Sequence, residues 1–219
     1  LIRVVRCEAG EVEMESEIVL RFDYGRLAPW LTEHEGAVTA LAGPSGIRIC
    51  ADVELRVSDG DCVSRFAMRA GEEVSFAITY FESHRRPPAP VHARRALAAT
   101  VDHWRDWIGR CGYGGPAREL VRRSLIVLKA LTYRPTGGLV AAATSSVPEN
   151  EGGDRNWDYR FCWLRDAYFT VDALNRLGAT GSMQRFLRYL EDIVTDASDG
   201  ALQPVYGMSG ATQLDEAVA

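Results

Sequence analysis

The sequence predicts two consecutive regions, an antiparallel β-sandwich followed by a helical region. Up to about residue 82, apolar and polar residues alternate with a period of two, which is typical of half-buried strands. Beyond residue 93, the apolar residues recur with a helical period. A Pro-rich and basic connector over residues 83–93 separates the two patterns. We therefore expect strands before residue 82 and helices after residue 93.

The strand pattern is clearest over residues 53–57 and 74–80. Turn signals separate the strand-like runs at residues 43–44, 59–60 and 70–71. Their spacing, roughly 8 to 12 residues between turns, favours an antiparallel sandwich. The first of these turns reads Gly-Pro-Ser-Gly, which has neither the spacing of a nucleophile elbow nor that of a phosphate loop. We interpret it as a hairpin turn.

Four helices are predicted in the second region, over residues 93–110, 117–131, 167–177 and 182–194. The first and the last carry one apolar stripe, and the last is interpreted as an outer helix. The second and third are apolar over more than one face, which suits inner helices. Pro116 is expected at the first position of the second helix, and Gly178 just beyond the end of the third.

The composition argues against several classes of function. A net charge of −5 argues against a nucleic-acid partner, because no basic excess is available to displace counterions. No apolar run is long enough to span a membrane. Lys129 is the only lysine among 25 basic residues, a bias that we attribute to genome composition and not to a phosphate-binding surface.

The cysteines predict free thiols. They are five in number, widely spaced and without a Cys-x-x-Cys pair, so neither a zinc site nor a redox pair is expected. Free thiols are typical of a reducing compartment, and we expect a cytoplasmic protein that needs no metal and no cofactor. The oligomeric state is left open.

The segment from Arg155 to Asp166, with the sequence RNWDYRFCWLRD, is the strongest candidate for a functional site. It follows the pair Gly152-Gly153 and precedes an apolar helical run. The apolar C–H face of a sugar ring packs on aromatic rings, whereas its hydroxyls need fixed donors and acceptors. This combination of two Trp, a Tyr, a Phe, three Arg and two Asp therefore predicts a carbohydrate site.

Residues 144–149 (TSSVPE), the glycine pair and residues 155–166 together resemble the signature of the family 15 glycoside hydrolases. These are glucoamylase-like enzymes, whose bacterial branch includes glucan α-glucosidases and trehalases. Further resemblances to the bacterial members lie at residues 21–25, 29–30, 42–44 and 202–207. The resemblance implies that the helices begin an (α/α)6 toroid, a six-hairpin glycosidase fold. It also implies a small carbohydrate partner, an α-linked glucose di- or oligosaccharide.

By the same resemblance, Tyr159, Trp163, Arg165, Asp166 and Trp157 bind glucose in the innermost (−1) subsite. Arg165 and Asp166 would hold adjacent hydroxyls, whereas Trp163 and Tyr159 would stack on the ring and shape the pocket. Structural alternatives stay open for each. The two Trp residues could be core aromatics, and Asp166 could cap the following helix.

Three further residues of this segment have simpler interpretations. Asp158 and Arg155 are expected to form an ion pair that holds the loop. Cys162 is expected to be an inert core thiol.

The catalytic residues are not expected within this chain. An inverting glycosidase needs two carboxyl groups roughly 6.5–9.5 Å apart, and the resemblance places these glutamates on later barrel loops. We found no match to either motif, and Glu149 and Glu151 lie too close in sequence to flank a sugar easily.

The chain is therefore interpreted as an inactive piece of an inverting α-glucoside hydrolase. It would comprise an incomplete sandwich (1–82), a linker with a connecting helix (83–116) and the start of the barrel (117–219). A non-catalytic carbohydrate-binding or regulatory fragment is one alternative. A helical interaction domain with an aromatic hot spot is the other.

Overall fold

The computed structural model describes residues 1–197, 201–212 and 214, which divide into two compact units, Leu1–Asp102 and His103–Ala219. The eight strands of the first unit end at Glu82, and the first helix begins at Ala93. The prediction of an antiparallel sheet region followed by helices is confirmed. The finer division at residues 82 and 116 stays a prediction. Part of its third range, residues 198–200, 213 and 215–219, lies outside the described residues.

The first unit contains two antiparallel sheets. Five strands follow the order β1-β8-β5-β4-β3, and three follow the order β2-β7-β6. A shared core includes Val38 and Ile49 from the larger sheet and Met68 from the smaller. The strands are β1 Ile2–Arg6, β2 Glu11–Ile18, β3 Trp30–His34, β4 Ala37–Ala42, β5 Ser45–Ala51, β6 Arg56–Ser58, β7 Asp61–Arg69 and β8 Glu73–Glu82.

The three predicted turns are confirmed. Two of them join paired antiparallel strands, β4 to β5 and β6 to β7, and the third connects β7 to β8, which lies in the other sheet. The strand predicted over residues 53–57 is wrong in part, because β6 begins only at Arg56. The Asp52 carboxylate accepts hydrogen bonds from the backbone N–H and the hydroxyl of Ser75, at 2.8 and 2.5 Å. Leu55 is nevertheless buried, so the alternation identified a core residue without a strand.

Four helices and a two-stranded sheet follow. Helix α1 spans Ala93–Gly109, α2 Arg118–Ala130, α3 Leu164–Arg176 and α4 Thr180–Asp196, and strand β9 (Cys162–Trp163) pairs with β10 (Val205–Tyr206). All four predicted helices are found. Gly178 follows α3 with a φ of 81°, as predicted for the residue after the last turn.

The predicted role of Pro116 is wrong. Helix α2 begins two residues later, after Ala117 in the left-handed conformation with a φ of 54°. The hydroxyl of Tyr113 donates a 3.1 Å hydrogen bond to the carbonyl of Pro116. Pro116 therefore belongs to the turn and not to the helix.

The apolar residues on the several faces of α2 and α3 were expected to be buried as in inner helices, and among the described residues this is wrong in part. In α2, Leu120 is 71% exposed, and in α3, Phe169 is 66% exposed. Helix α3 packs on α2 and α4, which cover only part of its surface. Its fully buried residue is Leu174, which lies in one core cluster with Leu125 of α2.

All five cysteines are free, as predicted, and Cys50 alone is not fully buried. Burial raises the pKa of the Cys62 thiol to about 11, and it also raises the pKa of Cys162. Both thiols therefore stay protonated and unreactive near neutral pH. Across the described residues, no helix combines the length and the apolar character needed to cross a bilayer.

Candidate functional site

The candidate site is built on the loop between α2 and α3. Its two arms run side by side, held by a bridge between Ser145 and Asp158. The Ser146 N–H donates to the carbonyl of Trp157 at 2.7 Å, and the Trp157 N–H donates to the Ser146 hydroxyl at 2.9 Å. These two hydrogen bonds fix the backbone at Trp157. The second uses the serine hydroxyl as an acceptor for a backbone N–H, an interaction that is common in turns.

The second arm ends in β9, which anchors it to the core of the unit. Cys162 is fully buried, and Tyr206 of β10 lies directly opposite it. The next residue, Leu164, donates its N–H to the carbonyl of Pro204 at 3.1 Å. Because side chains alternate along a strand, burying Cys162 turns the neighbouring Trp163 to the other face. Trp163 is half-buried there.

Trp163 is the centre of an aromatic cluster. The ring of Trp157 stands at 88° to it with centroids 5.9 Å apart, and the ring of Tyr159 stands at 72° with centroids 6.3 Å apart. Both are edge-to-face contacts, the arrangement that aromatic quadrupoles prefer. The indole N–H of Trp163 also donates to the carbonyl of Asp158 at 3.4 Å, so the ring has a fixed orientation.

Arg165 and Asp166 extend this cluster at the first turn of α3. The guanidinium of Arg165 lies 5.8 Å from the centroid of the Trp163 ring, a cation–π distance. It also donates to the Asp166 carboxylate at 3.2 Å. The two side chains are 73% and 42% exposed, so they are accessible to a ligand. The structure thus joins all five predicted residues, Trp157, Tyr159, Trp163, Arg165 and Asp166, through direct contacts.

The structure does not support the alternative that Asp166 caps α3. The capping residue is Trp163, which makes no side-chain capping bond, and Asp166 is the third residue of the helix. A carboxylate in a first turn is stabilised by the positive end of the helix dipole. Its side chain stays 42% exposed, so its oxygens can reach a ligand.

The predicted ion pair between Arg155 and Asp158 is wrong. Arg155 instead lies 3.8 Å from Glu149 and stacks over Trp157 at 5.5 Å. Asp158 accepts from the guanidinium of Arg160 at 2.7 and 3.0 Å. Residues 159 and 160 form a turn, and the Asp158 carboxylate also accepts the Arg160 backbone N–H at 2.8 Å, which brings the two side chains together.

Glu149 is a member of the site that the sequence did not reveal. Its carboxylate accepts a 2.6 Å hydrogen bond from the Trp157 indole N–H, which orients that ring within the cluster. Its own N–H donates to the carbonyl of Arg155 at 3.1 Å. The spacing of eight residues between Glu149 and Trp157 carries no periodic signal. Only the side-by-side arrangement of the two arms of the loop brings Glu149 to Trp157.

The chain is similar to known carbohydrate-active proteins. Residues 115–218 match the family model described as Glycosyl hydrolases family 15. The trehalases of Mycobacterium tuberculosis (strain ATCC 25618 / H37Rv) and Mycolicibacterium smegmatis (strain ATCC 700084 / mc(2)155) are each 33% identical over 99% of this chain. The trehalase of Thermoplasma volcanium is 28% identical over 99% of this chain. The chain spans 33–34% of the length of these three relatives.

A solved structure shares the fold. A crystal structure of a bacterial glucoamylase complexed with acarbose superimposes with a TM-score of 0.58 at 17% identity. The superposition covers 80% of this chain and 31% of the other. At this identity the likeness concerns the fold alone.

Proposed function

Because this chain belongs to the family 15 glycoside hydrolases, we propose that it is part of an enzyme that hydrolyses an α-linked glucose disaccharide, trehalose. In this proposal the chain supplies the −1 glucose-binding loop, and α2 to α4 are the first helices of an (α/α)6 toroid. The observation that carries it is the joined cluster of three aromatic rings with the Arg165–Asp166 pair.

The cluster suits a neutral sugar ring. Trp163, Tyr159 and Trp157 offer apolar surface for the C–H face, while Arg165 and Asp166 offer a donor fork and an acceptor pair for hydroxyls. Their mutual contact at 3.2 Å aligns the two groups before the sugar arrives. This reduces the side-chain entropy that is lost on binding.

Cleavage itself needs a protonated carboxyl group at the leaving oxygen and an ionised one that activates water. The family resemblance assigns both to glutamates on later loops. In the described residues, Glu149 is hydrogen-bonded to an indole and ion-paired to Arg155, which favours a supporting role over an acid or base role. We therefore propose that this chain holds the glucose and does not by itself complete the hydrolysis.

Trehalose is preferred over maltooligosaccharides as the proposed substrate. The support is that the relatives matched over 99% of this chain are trehalases. Their alignment runs through the entire loop, whereas the glucoamylase resembles the chain only at the level of the fold. Comparing trehalose with maltose as substrates of the full-length protein tests this choice.

Arg165→Lys in the full-length protein tests the glucose site. Lysine keeps the charge but lacks the planar fork, so it cannot serve two hydroxyls together. Losing a charge-assisted hydrogen bond costs about 1.5–3 kcal/mol, which predicts a fall in kcat/KM of roughly ten- to several-hundred-fold. The melting temperature should stay nearly unchanged, because the side chain is largely exposed.

Arg176→Lys is the matched control. Arg176 pairs with Asp172 at 2.8 Å on the same helix, three turns from the cluster, and its pKa is raised by that hydrogen bond. Its kcat/KM should equal that of the unmodified protein. A clear drop in melting temperature of Arg165→Lys with normal kcat/KM would assign Arg165 a purely structural role and remove it from the substrate site.

A further inference from the structure

Side-chain hydroxyls hold the short segment that contains β10. Strand β10 has only two residues, and it pairs with the two residues of β9. A sheet of this size is at most marginally stable without further contacts. Two hydroxyls from other elements supply such contacts, one from Tyr189 of α4 and one from Thr136 of the loop after α2.

Tyr189 contacts this segment from the middle of α4. Its side chain is buried, and its hydroxyl donates a 2.8 Å hydrogen bond to the carbonyl of Gly207, directly after β10. Burial and, after it, the neighbouring Cys162 raise the pKa of Tyr189, so the hydroxyl keeps its proton at neutral pH. The Tyr189 ring packs against Gly138, where an added side chain would lie 3.2 Å from it. Packing thus fixes the position from which the hydroxyl donates.

Thr136 holds the next residue of the segment. Its hydroxyl donates a 2.6 Å hydrogen bond to the carbonyl of Met208 and accepts one from the N–H of Gly138 at 3.2 Å. A threonine hydroxyl has a single proton, and here that proton goes to Met208. The carbonyls of Gly207 and Met208 therefore each accept from a side chain of a different element. We call the hydroxyls of Tyr189 and Thr136 the hydroxyl clamp.

The hydroxyl clamp is connected to the candidate site through backbone pairing. Val205 of β10 lies directly opposite Trp163, the centre of the aromatic cluster. The carbonyl of Gly207 is two residues further along the same segment. The β9–β10 pair joins the cluster to the core of the helical unit, because Cys162 and Tyr206 are both core residues. A displacement of the segment therefore moves the backbone from which the Trp163 side chain extends.

We propose that Tyr189 and Thr136 are positioning residues of the glucose site, which hold Trp163 in place through the backbone of residues 205–208. This inference rests on the proposed function in one respect, namely that Trp163 packs on the sugar ring. Neither hydroxyl belongs to the aromatic cluster, and Tyr189 is only 2% exposed. The effect of Tyr189 on the sugar is therefore indirect.

Tyr189→Phe in the full-length protein removes one hydroxyl and keeps the ring that packs against Gly138. The carbonyl of Gly207 loses this donor, and the segment gains freedom. Because Trp163 packs on the sugar both before and during the reaction, its displacement should raise KM and leave kcat nearly unchanged. We expect KM for the hydrolysed sugar to rise about three- to tenfold, the range expected for one hydrogen bond. Steady-state kinetics far below the melting temperature measure it.

Thr136 offers a second test, which includes its own rescue. Thr136→Val removes the hydroxyl at nearly constant size, and it should raise KM in the same way. Thr136→Ser keeps the hydroxyl and should restore the KM of the unmodified protein. If only the methyl group and its packing mattered, the two variants would show the opposite order. Because Thr136 lies in a loop and is half-buried, this pair remains decisive if Tyr189→Phe does not fold.

Circular dichroism of the tryptophans tests the hydroxyl clamp without any assay of hydrolysis. The rings of Trp157 and Trp163 are 5.9 Å apart at 88°, and fixed aromatic packing of this kind contributes to the near-UV spectrum. Trp163→Phe defines that contribution at wavelengths where only tryptophan absorbs. Tyr189→Phe and Thr136→Val should each weaken the same band.

Tyr80→Phe is the matched control. It removes the same hydroxyl from a tyrosine of β8 that is 63% exposed and belongs to the first unit. Neither KM nor the tryptophan band should change in this variant. A change as large as that of Tyr189→Phe would mean that the loss of any tyrosine hydroxyl has this effect, and it would overturn the proposal.

The outcomes separate the hydroxyl clamp from the proposed function. If the full-length protein hydrolyses neither trehalose nor maltose, the proposed function fails, and the tryptophan band still decides on the hydroxyl clamp. If a sugar is hydrolysed, normal KM and an unchanged band in Tyr189→Phe and Thr136→Val overturn the proposal, even where the melting temperature falls. A raised KM with the band intact also overturns it, because the effect would not pass through Trp163.

Discussion

Charged side chains are arranged in opposite ways in two regions of the helical unit. One is the loop cluster, the candidate site on the loop between α2 and α3, and the other is the cleft lined by Arg110, Lys129, Arg134 and Arg185. In the loop cluster each charged side chain has a partner of opposite sign: Arg165 with Asp166, Arg155 with Glu149, and Arg160 with Asp158. In the cleft between the ends of α1 and α2 and the α3–α4 connection, Lys129 and Arg185 stand together with Arg110 and Arg134, and none of the described residues that line it is acidic. Both regions also contain aromatic side chains in edge-to-face contact.

This difference indicates what each region is suited to bind. Paired charges create local donors and acceptors with little net field, which suits a neutral polyhydroxylated ligand. Unpaired cations create a net field, which suits an anion and weakens in salt. The KM of the full-length protein for the sugar should therefore be nearly independent of ionic strength.

The largest expected effect is a loss of stability at the glycine that packs against Arg185. Gly137→Ala puts a side chain against the Arg185 carbonyl at a φ that L-residues rarely adopt. We expect a loss of about 3 kcal/mol in the free energy of unfolding, measured by urea denaturation. In the folded fraction of the full-length variant, sugar hydrolysis should be kept.

Gly178→Ala is the control for that variant. Gly178 also has a positive φ, at 81°, but an added side chain would meet open space. Only the backbone penalty remains, about 1 kcal/mol. Equal losses for the two glycines would mean that the Gly137 contact does not hold the cleft together.

Asp166→Asn addresses the loop cluster. The amide keeps the size of the side chain but removes the charge that faces Arg165 at 3.2 Å, and the sugar loses an ionised acceptor. The expected result is a fall of about a hundredfold in kcat/KM for trehalose, equivalent to about 2.7 kcal/mol. Steady-state kinetics at two salt concentrations measure it. If high salt restored the kcat/KM of the variant, this result would contradict a role of Asp166 in holding a neutral sugar.

A smaller effect is expected for Glu149→Gln. The amide oxygen can still accept from the Trp157 indole, and only the ion pair with Arg155 is lost. We expect kcat/KM to fall less than about fivefold, because exposed ion pairs contribute little. Loss of two to four orders of magnitude, as is typical of a general acid or base, would place catalysis in this loop.

Lys129→Met is expected to have the smallest effect. Because the folded state lowers the pKa of Lys129 below 10.5, the protonated lysine opposes folding at neutral pH. The variant should therefore melt at a slightly higher temperature near pH 7. The advantage should disappear as the pH rises through the folded pKa towards 10.5, since the lysine is then neutral as well. Thermal melts across that pH range check the sign.

Much of the fold could be predicted from local sequence patterns. The turns at residues 43–44 and 59–60 and the glycine after α3 depend on residues that impose their own backbone conformation. Errors arose where a side-chain hydrogen bond decided the outcome. The Asp52 carboxylate accepts from Ser75 of β8, and the Tyr113 hydroxyl donates to the carbonyl of Pro116 three residues later.

The two regions differed in how far sequence could reveal them. Apart from Glu149, the residues of the loop cluster lie within the twelve positions 155–166, so their chemistry was visible before the fold was known. The cleft gathers Arg110, Lys129, Arg134 and Arg185 from separate elements. Each looks like an ordinary surface cation in sequence, and only the packing of α1, α2 and α4 brings them together.

The pairing of β9 with β10 also has a consequence for biosynthesis. Trp163 takes its place opposite Val205, a partner that is translated only after the whole α3–α4 hairpin. Closing that loop costs chain entropy, which the new contacts must offset before the strand pair persists. A nascent chain on the ribosome therefore cannot pair β9 with β10 until Tyr206 has left the exit tunnel. The proposed glucose site would be anchored only then, after the whole hairpin has been made.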